Sequence, residues 1–167
     1  MKWEDKAQVK KGNIGEKIIQ QYLEGKGWKV YKPFTKGAHW FDMLACKEKA
    51  KVIAIDVKTK ARFNKWECQG VNIKSYHEYL NFVAKTKVPF YLIFVDDKNG
   101  DVHSAKIDDL ENKGFTPGRA LHIIAWKLSD MKYIMNIGQE NIELLSAHDS
   151  RNYDFQPCAQ ISGKLRI

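Results

Sequence analysis

Val52-Ile53-Ala54-Ile55-Asp56-Val57-Lys58-Thr59-Lys60 is an apolar run that turns polar at its end. Side chains of a strand alternate between two faces. Ile53, Ile55 and Val57 therefore share one face, and Asp56, Lys58 and Lys60 share the other. Upstream, Trp40–Cys46 (WFDMLAC) is a second apolar run carrying one carboxylate, Asp42. The charged segment Lys47–Lys51 between the runs predicts a hairpin, although it lacks an Asn-Gly or Asp-Gly turn. A hairpin symmetric about Lys49 sets Asp42 opposite Asp56, with Cβ atoms about 5 Å apart. Like charges at that spacing are destabilising unless a cation lies between them. An even-length loop would put Asp42 opposite Ile55 instead, so the pairing needs an odd loop or a bulge. The plainer alternative is two solvated carboxylates on an exposed sheet face. The apolar neighbours Phe41, Met43, Ile55 and Val57 argue against it.

A carboxylate and a lysine side by side at the end of a buried strand suggest metal and phosphate chemistry. The charge balance agrees. The chain has 167 residues, with 28 Lys/Arg against 20 Asp/Glu, a net charge of +8. Such a balance favours polyanions, nucleic acid first and anionic membrane surface second. The excess is concentrated: residues 47–74 hold eight Lys/Arg and three Asp/Glu, a net of +5. A solvated lysine-rich surface is the bland reading of that stretch. Its position beside two candidate metal ligands favours phosphate binding.

Length and a 44% hydrophobic content predict one globular domain. No apolar run reaches the roughly 18 residues of a membrane span. The opening MKWEDKAQVKKG lacks the apolar centre of a signal peptide. The expectation is a cytoplasmic protein that does not engage a membrane. Cys46, Cys68 and Cys158 are odd in number and lack C-x-x-C spacing, which argues against a disulfide framework or a zinc site.

Asn13 and Glu16 form a capping-box pattern that predicts a helix from Asn13, with Ile14, Ile18, Ile19, Tyr22 and Leu23 at helical spacing. Gly25 and Gly27 end it. A strand over 28–31, a loop over 33–39 and the hairpin follow. ARFNKWECQGVNIK (residues 61–74) has no clean period and reads as a surface loop. Ser75-x-x-Glu78 is a second capping box, opening a helix to about Lys85 with Tyr79, Leu80 and Val83 inward. PFYLIFV (89–95) is a buried strand, Asp97–Gly100 a turn, and 101–106 the returning strand. A helical turn over 107–112, a strand over 121–126 and a helix over 139–147 are expected. The stretch from His148 onward looks irregular. The order α-β-β-β-α-β-β predicts an α/β fold, a mixed central sheet with helices on both faces.

That order, with Gly15-Glu16 on the first helix, then Phe41-Asp42, then Asp56-Val57-Lys58 on a hairpin, resembles the PD-(D/E)XK nuclease superfamily. This is the restriction-endonuclease-like three-layer fold, which includes archaeal-type Holliday junction resolvases. The resemblance covers about residues 12–110 of a single domain and leaves 111–167 as an extension of unassigned role. Phe41 stands where many members have Pro, and Asp56 where many have Glu. A Q-x-x-x-Y motif is missing, since Gln69 and Tyr76 are seven apart.

The resemblance implies a Mg2+-dependent endonuclease acting on DNA, duplex or branched, with Mn2+ as a substitute ion. Asp42 and Asp56 would hold the ion, joined by the backbone carbonyl of Val57 and, through water, by Glu16. Glu16 has an equal second reading as the capping partner of Asn13. Lys58 lies beside two carboxylates that push its pKa up, which favours an electrostatic role at the phosphate over general-base work. Lys60, Arg62, Lys65 and Lys74 are the candidate backbone-contacting cations. Trp66, Tyr76 and His77 are candidates for stacking on the substrate, with core packing as the alternative for the aromatics. His39, just before the metal strand, reads as structural or solvated. Symmetric cutting of both strands would call for a homodimer. A non-catalytic nucleic-acid-binding module on the same scaffold is the competing reading. A nucleotide hydrolase is disfavoured, since no G-x-x-x-x-G-K-[ST] loop occurs.

Overall fold

The computed structural model describes residues 6–34, 39–48 and 51–149. Lys49, Cys158, residues 35–38 of the expected loop and residues 150–167 lie outside the described residues.

The elements in chain order are α1 (Ala7–Gly25), β1 (Lys29–Tyr31), β2 (Met43–Lys47), β3 (Lys51–Thr59), β4 (Cys68–Asn72), α2 (Ile73–Thr86), β5 (Phe90–Val95), β6 (Asp101–Lys106), β7 (Ile123–Lys127), β8 (Lys132–Asn136) and α3 (Gly138–Ser146). Six strands form one mixed sheet in the order β1-β2-β3-β5-β6-β8. β3 and β5 are parallel, and every other neighbouring pair in this sheet is antiparallel. β4 and β7 form a separate antiparallel ribbon.

The alternation of β3 sorts its residues between two cores. Ile53, Ile55 and Val57 join Ile93, Val95 and Val102 beneath Ile19 and Leu23 of α1 and Leu145 of α3. Ala54 joins Phe90, Leu92 and Phe94 beneath Tyr76, Tyr79 and Phe82 of α2, along with Val71 and Trp126 of the ribbon. The result is three layers, helix, sheet and helix, as the element order implies.

The hairpin register is the odd one. Lys47 pairs with Lys51 and Met43 with Ile55, leaving three residues at the tip. Asp42, just before β2, leaves that register: its backbone N–H donates to the Ile55 carbonyl at 2.9 Å, so Asp42 and Met43 both oppose Ile55 and Asp42 is not set directly across from Asp56 as the sequence predicts.

Three local expectations are corrected by tertiary contacts. α1 starts at Ala7, and its N-cap Lys6 makes no side-chain capping bond, so Asn13 is helix interior rather than a cap. The buried stripe Lys11, Gly15, Ile19, Leu23 continues the packing face toward the N-terminus. Lys11 is anchored there by ion pairs with Asp97 and Asp149. α2 starts at Ile73, and its cap is Asn72, whose side chain accepts from the Lys74 N–H at 2.9 Å. Ser75 therefore lies inside the helix. Residues 61–74 are not a surface loop: Cys68, Gln69, Gly70 and Val71 of β4 are buried. Covered by β7 on its hydrogen-bonded edge and packed near α2, β4 shows no in-out alternation for a sequence pattern to reveal. Beyond residue 110, β8 supplies the sixth strand of the main sheet and β7 completes the ribbon.

Candidate active site

The site forms where the polar end of β3 meets the start of β2. Asp42 lies one residue before the last ladder pair of the hairpin, Met43 with Ile55, close enough to Asp56 for the two charges to act on each other. Asp42 Oδ2 accepts the Val57 backbone N–H at 2.7 Å. This bond replaces a ladder bond at the end of β2 and turns the carboxylate toward β3. Val57 thus meets the site through its N–H in this structure.

Asp56 is buried, on the α2 side of the sheet. Its Oδ2 receives two donors, the Lys58 ammonium at 2.7 Å and the Tyr79 hydroxyl at 3.1 Å. Asp56 and Lys58 share a strand face by the period of two, and the ion pair follows from it. Tyr79 comes from α2 and stacks on Phe90 of β5, with ring centroids 4.7 Å apart. The Oδ1 atoms of Asp42 and Asp56 have no hydrogen bond among the described residues.

The electrostatics record the crowding. Burial, and then the Asp56 charge, push the Asp42 carboxyl up to about 7, against the Val57 N–H that favours its ionised form. Burial also raises Asp56, with Lys58 and Tyr79 pulling the other way. Burial lowers the Lys58 ammonium, but Asp56, Tyr79 and Asp42 outweigh it and hold Lys58 above its ordinary value. Lys58 therefore stays charged. The Tyr79 hydroxyl is raised by burial and by Asp56, and stays protonated as a donor.

Glu16 adds negative potential at both aspartates. It is ion-paired with Lys32 at 3.0 Å and stands beside Gly15. A Cβ at Gly15 would lie 1.8 Å from Thr59 Oγ1, so only glycine lets α1 approach the end of β3 this closely. The capping role of Glu16 falls away, because Asn13 is not a cap.

The four basic candidates divide. The Arg62 guanidinium is held by Asp96 and Asp101, each at 2.6 Å, which ties the chain after β3 to the β5–β6 turn. The Lys60 ammonium donates to the Gly70 carbonyl of β4 and lies 5.9 Å from the centre of the Phe63 ring. Both serve the fold. Lys65 and Lys74 are exposed and make no ion pair among the described residues. Tyr76 is buried against Trp126, whereas Trp66 is partly exposed. Sequence reasoning placed Tyr79 on the inner face of its helix but assigned it no function. Its position four residues from Ser75 carries no signal by itself.

The donor set suits a hard cation. A buried carboxyl raised first by its burial and then by a neighbouring carboxylate is what a bound Mg2+ would ionise, and Mg2+ commonly takes one or two carboxylates and fills the rest with water. Among the described residues no three His, Cys, Asp or Glu side chains form a complete cage.

Among solved structures, the chain is similar to Hjc, a Holliday junction resolvase from Archaeoglobus fulgidus, with a TM-score of 0.54. The match covers 81% of this chain and 96% of that one at 12% identity. The chain has the fold of the PD-(D/E)XK nucleases. A bacterial homing endonuclease, I-Ssp6803I, is also similar, at 15% identity and a TM-score of 0.44, over 65% of this chain and 76% of that one. No protein-family model and no curated protein matches the sequence. In this fold, Asp42 and the Asp56-Val57-Lys58 strand end stand together on the sheet, with Glu16 on the adjoining helix. No described helix is long and apolar enough to cross a membrane.

Proposed function

We propose that the protein is a Mg2+-dependent endonuclease that hydrolyses DNA phosphodiester bonds. The observation that carries this reading is the convergence of Asp42 and Asp56 beside a charged Lys58, in a chain with net charge +8. A module that only bound a polyanion would gain nothing from two crowded carboxylates facing it.

Asp42 and Asp56 would hold the ion, Mn2+ substituting, with Glu16 acting through water and the Val57 carbonyl implied by the family. When bound, the ion supplies Lewis-acid charge and a water of lowered pKa. The chain's own residues do the rest. Lys58 presents a fixed positive charge where negative charge develops on the phosphate. Lys58 and Tyr79 pin Oδ2 of Asp56, which leaves Oδ1 without a hydrogen bond among the described residues. Asp42, with its pKa about 7, must lose its proton before it can serve as a ligand.

The structural likeness to a junction resolvase makes branched DNA the first substrate to try, with restriction-like duplex cutting second. The test is incubation with plasmid, linear duplex, single strand and a four-way junction, with Mg2+ and with EDTA. Cleavage of any of them that EDTA abolishes supports the reading. Binding without cleavage of all four, under either Mg2+ or Mn2+, would establish the non-catalytic module instead.

A further inference from the structure

Trp66 is accounted for neither by the fold nor by the carboxylate site. It ends a short 3-10 turn, Asn64–Trp66, just before β4, and 38% of its surface is exposed. Its indole N–H has no hydrogen bond among the described residues, unlike that of buried Trp126, which donates to the Leu110 carbonyl at 3.0 Å. Gly118 braces one edge of the ring: a Cβ there would lie 3.0 Å from Trp66 Cη2. Trp66 therefore sits close against Gly118 with about a third of its surface left to solvent.

Trp66 lines a cleft of about 640 Å3 together with Lys65, Lys127, Asn64, Glu67 and Ser129. The Lys65 ammonium lies 5.0 Å from the Trp66 ring centre. Neither Lys65 nor Lys127 makes an ion pair among the described residues, in contrast to Arg62, whose charge the fold consumes. The cleft thus combines an aromatic ring with one lysine held over it, a second lysine without an ion pair among the described residues, and the side chains of Asn64, Ser129 and the acidic Glu67. Its volume lies within the roughly 300–1,000 Å3 of small-molecule sites. Stacking aromatics beside lysines are the recurring device for gripping unpaired nucleotides, since every base has a π-face. A base inside a duplex is already stacked and offers no such face.

We propose that this cleft binds an unpaired nucleotide of the nucleic-acid substrate, with its base on Trp66 and its flanking phosphates against Lys65 and Lys127. The proposal rests on the nuclease reading and deepens it: the preferred substrate would contain an unpaired or branched segment.

The test measures binding of the full chain in EDTA, by fluorescence anisotropy, to oligo(dT), to a blunt duplex and to a duplex bearing a single-stranded branch. Trp66→Ala is expected to weaken binding to the single strand and the branched duplex by about 5- to 100-fold. Blunt-duplex affinity should stay unchanged, and Trp66→Phe should restore most of the loss, which separates stacking from damage to the Gly118 contact. Lys65→Ala with Lys127→Ala should lower the salt dependence for the single strand. Equal losses on all three substrates, or no loss on any, overturn the proposal. Competition by thymidine monophosphate as effective as by the oligonucleotide would make the cleft a free-nucleotide site and also overturn it. Cleavage is scored separately with Mg2+. A protein that cuts but ignores Trp66 rejects only this inference; one that binds through Trp66 but never cuts rejects only the nuclease reading.

Discussion

The Tyr79 hydroxyl donates to Oδ2 of Asp56 at 3.1 Å, so a helix from one layer holds the carboxylate that the central strand presents. Tyr79→Phe keeps the ring stack on Phe90 and removes only this bond. With one fewer donor stabilising its ionised form, Asp56 should titrate higher. The variant should melt within a few degrees of wild type, bind Mn2+ more weakly and cleave about 10-fold more slowly, the effect of roughly 1.4 kcal/mol. The acid limb of its pH–rate profile should move to higher pH. An unchanged profile would show that the bond plays no part in orienting Asp56.

Asp42 makes the metal-free protein sensitive to pH. Its folded-state pKa of about 7 lies above the ordinary 3.8, so between those values the native state holds a proton that the unfolded chain has lost. The stabilisation from this group is present at low pH and is lost as pH rises through about 7. Relative to Asp42→Asn, which does not titrate, metal-free wild type should lose Tm from pH 5 to pH 8. Asp42→Asn should melt above wild type at pH 8 without metal, yet fail to bind Mg2+. Added Mg2+ should raise the wild-type Tm at pH 8 and leave the variant unmoved. Thermal scans at the two pH values, with and without Mg2+, decide it.

Lys58→Ala should separate chemistry from binding. One lysine among many adds little to ground-state affinity, whereas a charge at the scissile phosphate acts in the transition state. Cleavage should fall by about 10²–10³, by analogy with the loss of an oxyanion-hole donor, while DNA affinity holds. Cleavage at the full rate would place the active site elsewhere.

The basic side chains should divide between binding and folding. Lys74→Ala should reduce the salt slope of log K by about 0.9 on duplex DNA, and Lys65→Ala by about 0.7 on a single strand. Arg62→Ala should instead destabilise the fold. It strands Asp96, which is 2% exposed, without its cation, a loss on the order of 3 kcal/mol. Denaturation midpoints and salt titrations on the same three variants distinguish the classes.

Much of the fold was legible because its decisive features are local. The alternation in residues 52–57 sorts side chains between two cores, and the hairpin between the two apolar runs brings the start of β2 beside the polar end of β3. Strand period is a backbone property, so sequence alone determined it, whereas the parity of the hairpin loop was decided by the folded register. The buried strand β4, the start of α1, the fate of Arg62 and the contact from Tyr79 to Asp56 depend on partners 9 to 138 residues away in the chain. No local pattern encodes such partners. A lysine or arginine reads the same in sequence whether it faces a phosphate or a buried carboxylate. Only the tertiary structure decides, because the free energy of a charge depends on which opposite charge the folded chain brings to it and on how much water remains between them.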